Sequence, residues 1–266
     1  MWRADPAVCA LLPSGMLPQL GFVAGPVRVV VSLHALAIVL GVVAGAVLAL
    51  RRARDPTSVL AAVAAVTVAA LVGAHALFLV LRGGRGGVWT GGLASTGGVA
   101  AGLAAAALAA RFARRPVLEV LDAIAPAGLL ALGIGRLGCF LGGCCYGRPT
   151  ALPWGVVFPG LGPPARHPLQ LYSAAADLAV LVLLPRRSAP TGVVACCACL
   201  GLGIVRAGLE WLRDAGTTDA LVPGVVTLPQ AAALLLALGA LCIERRLRHS
   251  GPSTMPPARR KLAHGR

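Results

Sequence analysis

Apolar residues run along this chain in stretches of about 18 to 24, enough for a helix rising about 1.5 Å per residue to cross roughly 30 Å of hydrocarbon. Seven such stretches are legible, at about 29–50, 58–81, 91–110, 117–134, 168–185, 189–212 and 224–243. The pattern predicts an all-α integral membrane protein with about seven transmembrane helices. The fourth and sixth runs are the least sharply bounded, since both lead into charged sequence that contains glycine. Small residues punctuate the runs: "GVVAG" (Gly41–Gly45) and "GVAAG" (Gly98–Gly102) place glycines four apart, a spacing that lets helix backbones approach closely. No repeat of 20 to 50 residues is visible, which argues against a transporter built from inverted halves.

Composition agrees with the pattern. A hydrophobic content of 58% and a mean hydropathy of +0.83 exceed what a water-facing surface carries. The net charge of +15 raises nucleic acid as a partner. The basic residues do not form an aromatic-studded soluble face, however, and no nucleic-acid partner is expected. They follow alternate helices: Arg51, Arg52 and Arg54 after the first, Arg111, Arg114 and Arg115 after the third, Arg186 and Arg187 after the fifth. Arg245, Arg246, Arg248, Arg259, Arg260, Lys261 and Arg266 follow the seventh, so most of the 24 basic residues share one side. The positive-inside rule makes that side cytoplasmic, with the N-terminus outside and the C-terminus inside. The first 20 residues lack the basic start and apolar centre of a cleavable signal, and Met1–Pro26 reads as an external segment. Residues 1–248 form the expected polytopic membrane domain; 249–266, basic and proline-rich, form an expected disordered cytoplasmic tail.

Polar residues within or beside membrane runs are costly and are the first candidates for function. Between the fourth and fifth runs lies "GRLGCFLGGCCYGRPT", dense in glycine, with Arg136 and Arg148 and, further on, Arg166. Gly133, Gly135, Gly138, Gly142, Gly143 and Gly147 suit a tight or partly re-entrant loop with exposed amides. Two readings stay open for its arginines: a phosphate site, which planar guanidinium donors match, or interfacial side chains reaching lipid head groups. In the sixth run Arg206, Glu210 and Arg213 share a helix face, so Arg206 and Glu210 can pair in the bundle. The alternative is an amphipathic end emerging into water. Asp177 is either a partner for one of these arginines or a neutral hydrogen-bonding residue. His34, His75 and His167 lie in or near the membrane runs, and His167 draws attention because Arg166, Gln170 and Tyr172 surround it.

The spacing of Cys139, Cys144 and Cys145 fits no common structural zinc pattern, and neither metal nor cofactor is expected. A disulfide among these cysteines or with Cys9 is compatible with an external loop. Cys196, Cys197, Cys199 and Cys242 read as small apolar packing residues.

The ordered motifs "GRLGCFLGGCCYGRPT", "PWGVVFP", "RHPLQLY", "VRAGLEWLR" and "TLPQ" resemble those of the bacterial prolipoprotein diacylglyceryl transferases. That family's signature is approximately GR-x-GNF-x-NGE-x-[WY]GR. The resemblance implies a seven-helix inner-membrane enzyme that moves diacylglyceryl from phosphatidylglycerol to the lipobox cysteine of a preprolipoprotein, forming a thioether. Its partners would be phosphatidylglycerol, the lipobox segment and membrane lipid. By the same resemblance, Arg136, Arg206, Glu210, His167 and His34 are candidate catalytic residues. Gly138, Cys139, Gly143, Arg148, Gln170 and Tyr172 are candidates for substrate binding, and Pro168 and Gln230 also fall on motif positions. The chain departs from the pattern where Cys139 and Gly142 replace asparagines, Cys144 a glutamate, Thr96 a histidine and Leu202 a tyrosine. Without that histidine, the candidate bases are His34, His167 and Glu210. The departures also raise two alternatives: a paralogue transferring a lipid-derived group to another acceptor, and a non-catalytic phospholipid-binding membrane protein.

Overall fold

Helices form where the long apolar runs fall. A computed structural model of the chain describes residues 3–4, 20–24, 27–53, 55–81, 93–185, 189–214, 220–222 and 226–249. The helices are α1 (Leu33–Arg52), α2 (Pro56–Leu81), α3 (Ser95–Phe112), α4 (Val117–Leu141), α5 (Leu169–Leu183), α6 (Val193–Glu210) and α7 (Leu228–His249). Six are long and apolar enough to cross a membrane, and α5, with 15 residues, is the short one. The chain is a multi-pass membrane protein. Two small antiparallel sheets accompany the bundle: β1 (Arg3–Ala4), β2 (Leu20–Ala24) and β3 (Val27–Val31) form one, and β4 (Ala220–Val222) and β5 (Val226–Thr227) the other.

Three of the departures from the sequence reading stand out. The first run does not become helix from 29: Val27–Val31 pairs with Leu20–Ala24 in a hairpin, and α1 begins at Leu33 with the Ser32 side chain accepting from the Ala35 amide. The fourth helix does not stop at 134 but continues to Leu141, so Gly135–Leu141 is helix and the connecting loop starts only at Gly142. The seventh helix reaches His249, and the rest of the expected tail lies outside the described residues.

The reason α4 continues lies in what its glycines touch. A Cβ on Gly138 would stand 2.6 Å from the Ala37 Cβ and 3.2 Å from the His34 carbonyl; one on Gly133 would stand 3.1 Å from Leu178. These glycines cost helix propensity but give α4 two flat faces, for α1 and α5. The expected GxxxG contacts appear on the same principle. Gly41 and Gly45 would place a Cβ 2.8 and 2.7 Å from the backbone oxygens of Ala131 and Ala127, while Gly73 and Gly97 bring α2 onto α3. The inside of the bundle is accordingly small-residue, with Ala49, Ala62, Ala106, Ala110 and Ala127 buried. The bulky residues Val68, Val72 and Val80 of α2 and Leu235 and Leu238 of α7 face outward, as lipid contact favours.

Acidic residues start two helices. Asp55 accepts from the Thr57 amide and from the Ser58 and Thr57 hydroxyls ahead of Pro56, which needs no amide partner. Those bonds, the Ser58 hydroxyl first, hold the Asp55 carboxyl down at about 2. Asp122, from the middle of the chain's fold in α4, accepts from the amides of Gly192 at 2.6 Å and Ala195 at 2.7 Å and so fixes the start of α6.

Because the obstacle at Gly41 is backbone and not a movable side chain, Gly41→Leu should destabilise the protein by about 1–3 kcal/mol. Gly239, whose added Cβ would meet nothing within 4 Å, is the control. Thermal unfolding in detergent should show a lowered Tm for Gly41→Leu and little change for Gly239→Ala.

Candidate active site

One end of the bundle gathers the start of α1, the end of α4, the start of α5, the end of α6 and the Gly142–Pro168 connection. The connection is knitted by backbone bonds. Gly147 donates to the His167 carbonyl at 2.9 Å, Arg148 to Leu212 at 2.8 Å, and Val156 exchanges bonds with Arg166. Gly147 is buried, and a Cβ there would meet the Leu212 oxygen at 2.7 Å, so this loop glycine permits the crossing of two strands of backbone. Phe158, almost fully buried, packs against Phe140 and Tyr146 and anchors the loop to α4.

The charged centre is built from three helices. Arg136 of α4 is buried. Arg206 of α6 donates to Asp177 of α5 at 2.7 Å, and that carboxylate has no exposed surface. Arg206 therefore pairs across helices and not with Glu210 one turn on. The i, i+4 spacing allowed the local pair; both carboxylates are buried, and it is the cross-helix one that reaches the guanidinium. Glu210 is held instead by Arg213 at 2.9 Å and by the Thr227 hydroxyl at 3.5 Å. Arg136 has no ion pair among the described residues, yet Arg206 and Asp177 both lie within its electrostatic reach. Two guanidinium groups thus face one carboxylate, leaving a single positive charge uncompensated inside the protein.

Around this centre the other predicted residues divide. Cys139, one turn after Arg136, lies in the field of both arginines, and the Cys144 thiol donates to its carbonyl at 3.6 Å. The described cysteines are all free thiols, so the disulfide expectation does not hold for the loop; Cys9 lies outside the described residues. Gln170, buried, donates to the Cys144 carbonyl at 2.5 Å and so positions the loop. Gly143 and Cys145 take positive φ values of 64° and 61°, which glycine adopts freely and cysteine at a cost. His167 lies near Tyr172, Nδ1 to Oη 3.3 Å, and the Tyr172 hydroxyl accepts from the Trp154 indole at 2.8 Å. Arg166 is engaged by Asp214 and by the Tyr146 ring. Arg148 is exposed at the rim. Gln230 accepts from the Thr227 amide at 3.0 Å while the Thr227 hydroxyl accepts from the Gln230 amide at 3.3 Å. The "TLPQ" motif is thereby a capping box for α7.

Sequence spacing missed one neighbour. His34 stands beside the Cys139–Cys144 turn, with its Nδ1 buried and unpartnered. Nothing local in the sequence links residues so far apart. The one signal was Gly138 and Gly142, four apart like the other contact glycines.

With this geometry described, a family model for prolipoprotein diacylglyceryl transferase matches residues 23–244. The chain belongs to that family. Proteins named phosphatidylglycerol–prolipoprotein diacylglyceryl transferase are similar to it over part of its length. The one from Pseudoalteromonas atlantica is 39% identical over 145 residues, 53% of this chain and 52% of the relative. That from Geobacter sulfurreducens is 37% identical over 147 residues, 54% and 56% respectively. That from Vibrio vulnificus is 34% identical over 160 residues, 59% of each. The chain spans about half the length of the curated relatives it matches.

The ion pair carries a stability prediction. Asp177→Leu leaves Arg206 charged and without its partner, and should cost about 3–5 kcal/mol, whereas combining it with Arg206→Met should recover most of that loss. Chemical unfolding in detergent of the single and double variants measures the coupling; additive losses would show that the two side chains do not act as a pair.

Proposed function

We propose that this protein transfers diacylglyceryl from phosphatidylglycerol to the cysteine thiol of a preprolipoprotein lipobox, at the outer face of a bacterial inner membrane. The observation that carries this reading is the surplus guanidinium. A phosphodiester headgroup brings one negative charge, which matches the one positive charge left by Arg136 and Arg206 against Asp177. Oδ1 of Asp177 and Oε1 of Gln170 are buried acceptors without partners. They suit the hydroxyl donors of a glycerol headgroup, since a buried acceptor gains most from a donor that arrives with its own ligand.

In the reaction the acceptor sulfur attacks the glyceryl carbon that bears the phosphate. A C–S bond forms, the C–O bond breaks, and the electron pair leaves on the phosphate oxygen. The thiol proton ends on the departing glycerol phosphate, and Arg136 and Arg206 stabilise the charge that grows there. Among the three candidate carriers of that proton, Glu210 is already held by Arg213 and Thr227, and His167 by Tyr172. His34 keeps a nitrogen free. Lipid reaches the site sideways in this reading, through a bundle whose outer surface is apolar.

Topology supports the same placement. The basic ends of α1 and α3, Arg51, Arg52 and Arg111, lie at the far end of the bundle from Arg136. With those ends cytoplasmic, the arginine centre faces outward, and the stretch from 249 to 266 is a cytoplasmic tail. The replacement of the family's histidine by Thr96 and of its signature asparagines by Cys139 and Gly142 favours a second reading, a paralogue serving a different acceptor.

The test is incubation of the protein in phosphatidylglycerol nanodiscs with a lipobox peptide, read by mass spectrometry. A diacylglyceryl adduct on the peptide cysteine is expected, and Arg136→Ala should lower its rate about 10²–10³-fold. Full activity in a folded Arg136→Ala protein would overturn the arginine's role. Modification of a different nucleophile from a mixed acceptor pool would favour the paralogue.

A further inference from the structure

The loop that follows α4 carries more than a headgroup site needs. The imidazole of His34 and the thiols of Cys139 and Cys144 bring their ligand atoms within 4.8 Å of one another. The three come from different parts of the fold: the first turn of α1, the last turn of α4 and the loop beyond it. Two glycines make the meeting possible. A Cβ on Gly138 would stand 3.2 Å from the His34 carbonyl, and one on Gly142 would stand 3.5 Å from the His34 Cβ and 3.8 Å from Nδ1. That last distance also fixes where the ring nitrogen points, which is into the loop. It is buried and has no hydrogen-bond partner, a state a polar nitrogen is seldom left in. The Cys144 thiol reaches back to the Cys139 carbonyl at 3.6 Å.

We propose that His34, Cys139 and Cys144 bind one thiophilic d10 cation of the Zn(II) type. The donor set is one imidazole and two thiols, the soft ligands such ions select. Bond lengths of about 2.3 Å to sulfur and about 2.0 Å to nitrogen put tetrahedral ligands about 3.5–3.8 Å apart, so atoms already within 4.8 Å of one another need close by no more than about an ångström. The turn at Gly142 and Gly143 can supply that movement. Solvent reaches Cys144, and water can complete the tetrahedron as the fourth ligand. Two thiolates cancel the charge of a divalent cation, so the loaded site is neutral and adds no repulsion towards Arg136 and Arg206. The cation enters as the two thiols release their protons, and binding therefore tightens as pH rises. Geometry alone carries this site, which stands whether or not the chain transfers diacylglyceryl; a cation on Nδ1 occupies the nitrogen that would carry the acceptor proton, so the loaded form is not the transferring one.

The experiment uses the full chain in nanodiscs, reduced with a phosphine, loaded with Zn(II) against a weak chelator and desalted before metal analysis. One zinc per chain is expected. Co(II) in its place should give tetrahedral d–d bands and a thiolate-to-cobalt charge-transfer band, readouts that need no substrate and no activity. Cys139→Ser and Cys144→Ser should each abolish stoichiometric binding, His34→Ala should weaken it at least about ten-fold, as expected for loss of one ligand of three, and Cys242→Ser, at the far end of α7, should bind as the parent does. Should Cys139→Ser fail to fold, Cys144→Ser, in the loop, reads the same prediction. Substoichiometric zinc in the reduced parent, one zinc per chain retained in folded Cys144→Ser, or a cobalt spectrum without the thiolate band would overturn the proposal.

Discussion

An arginine inside a membrane bundle stays charged only if something answers its charge, and here Asp177 answers Arg206 from the neighbouring helix at 2.7 Å. The carboxylate is wholly buried and cannot fall back on water, so this contact ties α5 to α6. Arg136 enters the same field from α4 without a carboxylate of its own. Its presence makes the centre positive by one charge, a condition that an apolar bundle tolerates poorly unless an anion completes it. Under the proposed function, that charge is what an anionic headgroup would complete. This is the usual relation between a buried unpaired group and function.

The helices can approach closely enough for such a contact because the interior is made of alanine and glycine. Gly41 and Gly45 set α1 against α4, Gly133 sets α5 against it, and Gly203 would place a Cβ 2.5 Å from the Ala233 oxygen of α7. Large side chains are turned outward, the reverse of a water-soluble core. The same economy of side-chain volume that packs the helices also opens the polar end, where Gly138 and Gly147 let backbone pass close to His34 and His167.

The spans were legible because hydrophobic length is a one-dimensional signal, and seven helices fall on seven runs. The end of α4 was not, since six glycines in fifteen residues argue for a loop by local propensity, whereas two of them, Gly133 and Gly138, serve as helix contact faces that only the neighbours α5 and α1 define. The partner of Arg206 was half legible: Asp177 stood out as a membrane acid, but spacing favoured Glu210, and spacing knows nothing of how α5 faces α6 or that Arg213 takes Glu210. Gln230 stood on a motif and proves to be a cap, so position in a motif did not distinguish folding from chemistry. The meeting of His34 with Cys139 and Cys144 was illegible, because it depends on the register of α1 against α4, which no local pattern records.

The cysteines bear on the arginine centre through charge. As a neutral thiol, Cys139 leaves the surplus on Arg136 and Arg206 intact and a phosphodiester can neutralise it. As a thiolate facing the same two guanidinium groups, it would cancel that surplus and compete with the phosphate. Where the family pattern has an asparagine, no such competition arises, because an amide carries no charge. A cation held by Cys139, Cys144 and His34 would draw the thiolate's charge into a neutral cluster, restoring the surplus to the arginines. The replacement of asparagine and glutamate by cysteine therefore does not simply remove polar contacts from the loop. It makes the charge available to an incoming phosphate depend on the state of a thiol one helical turn from Arg136.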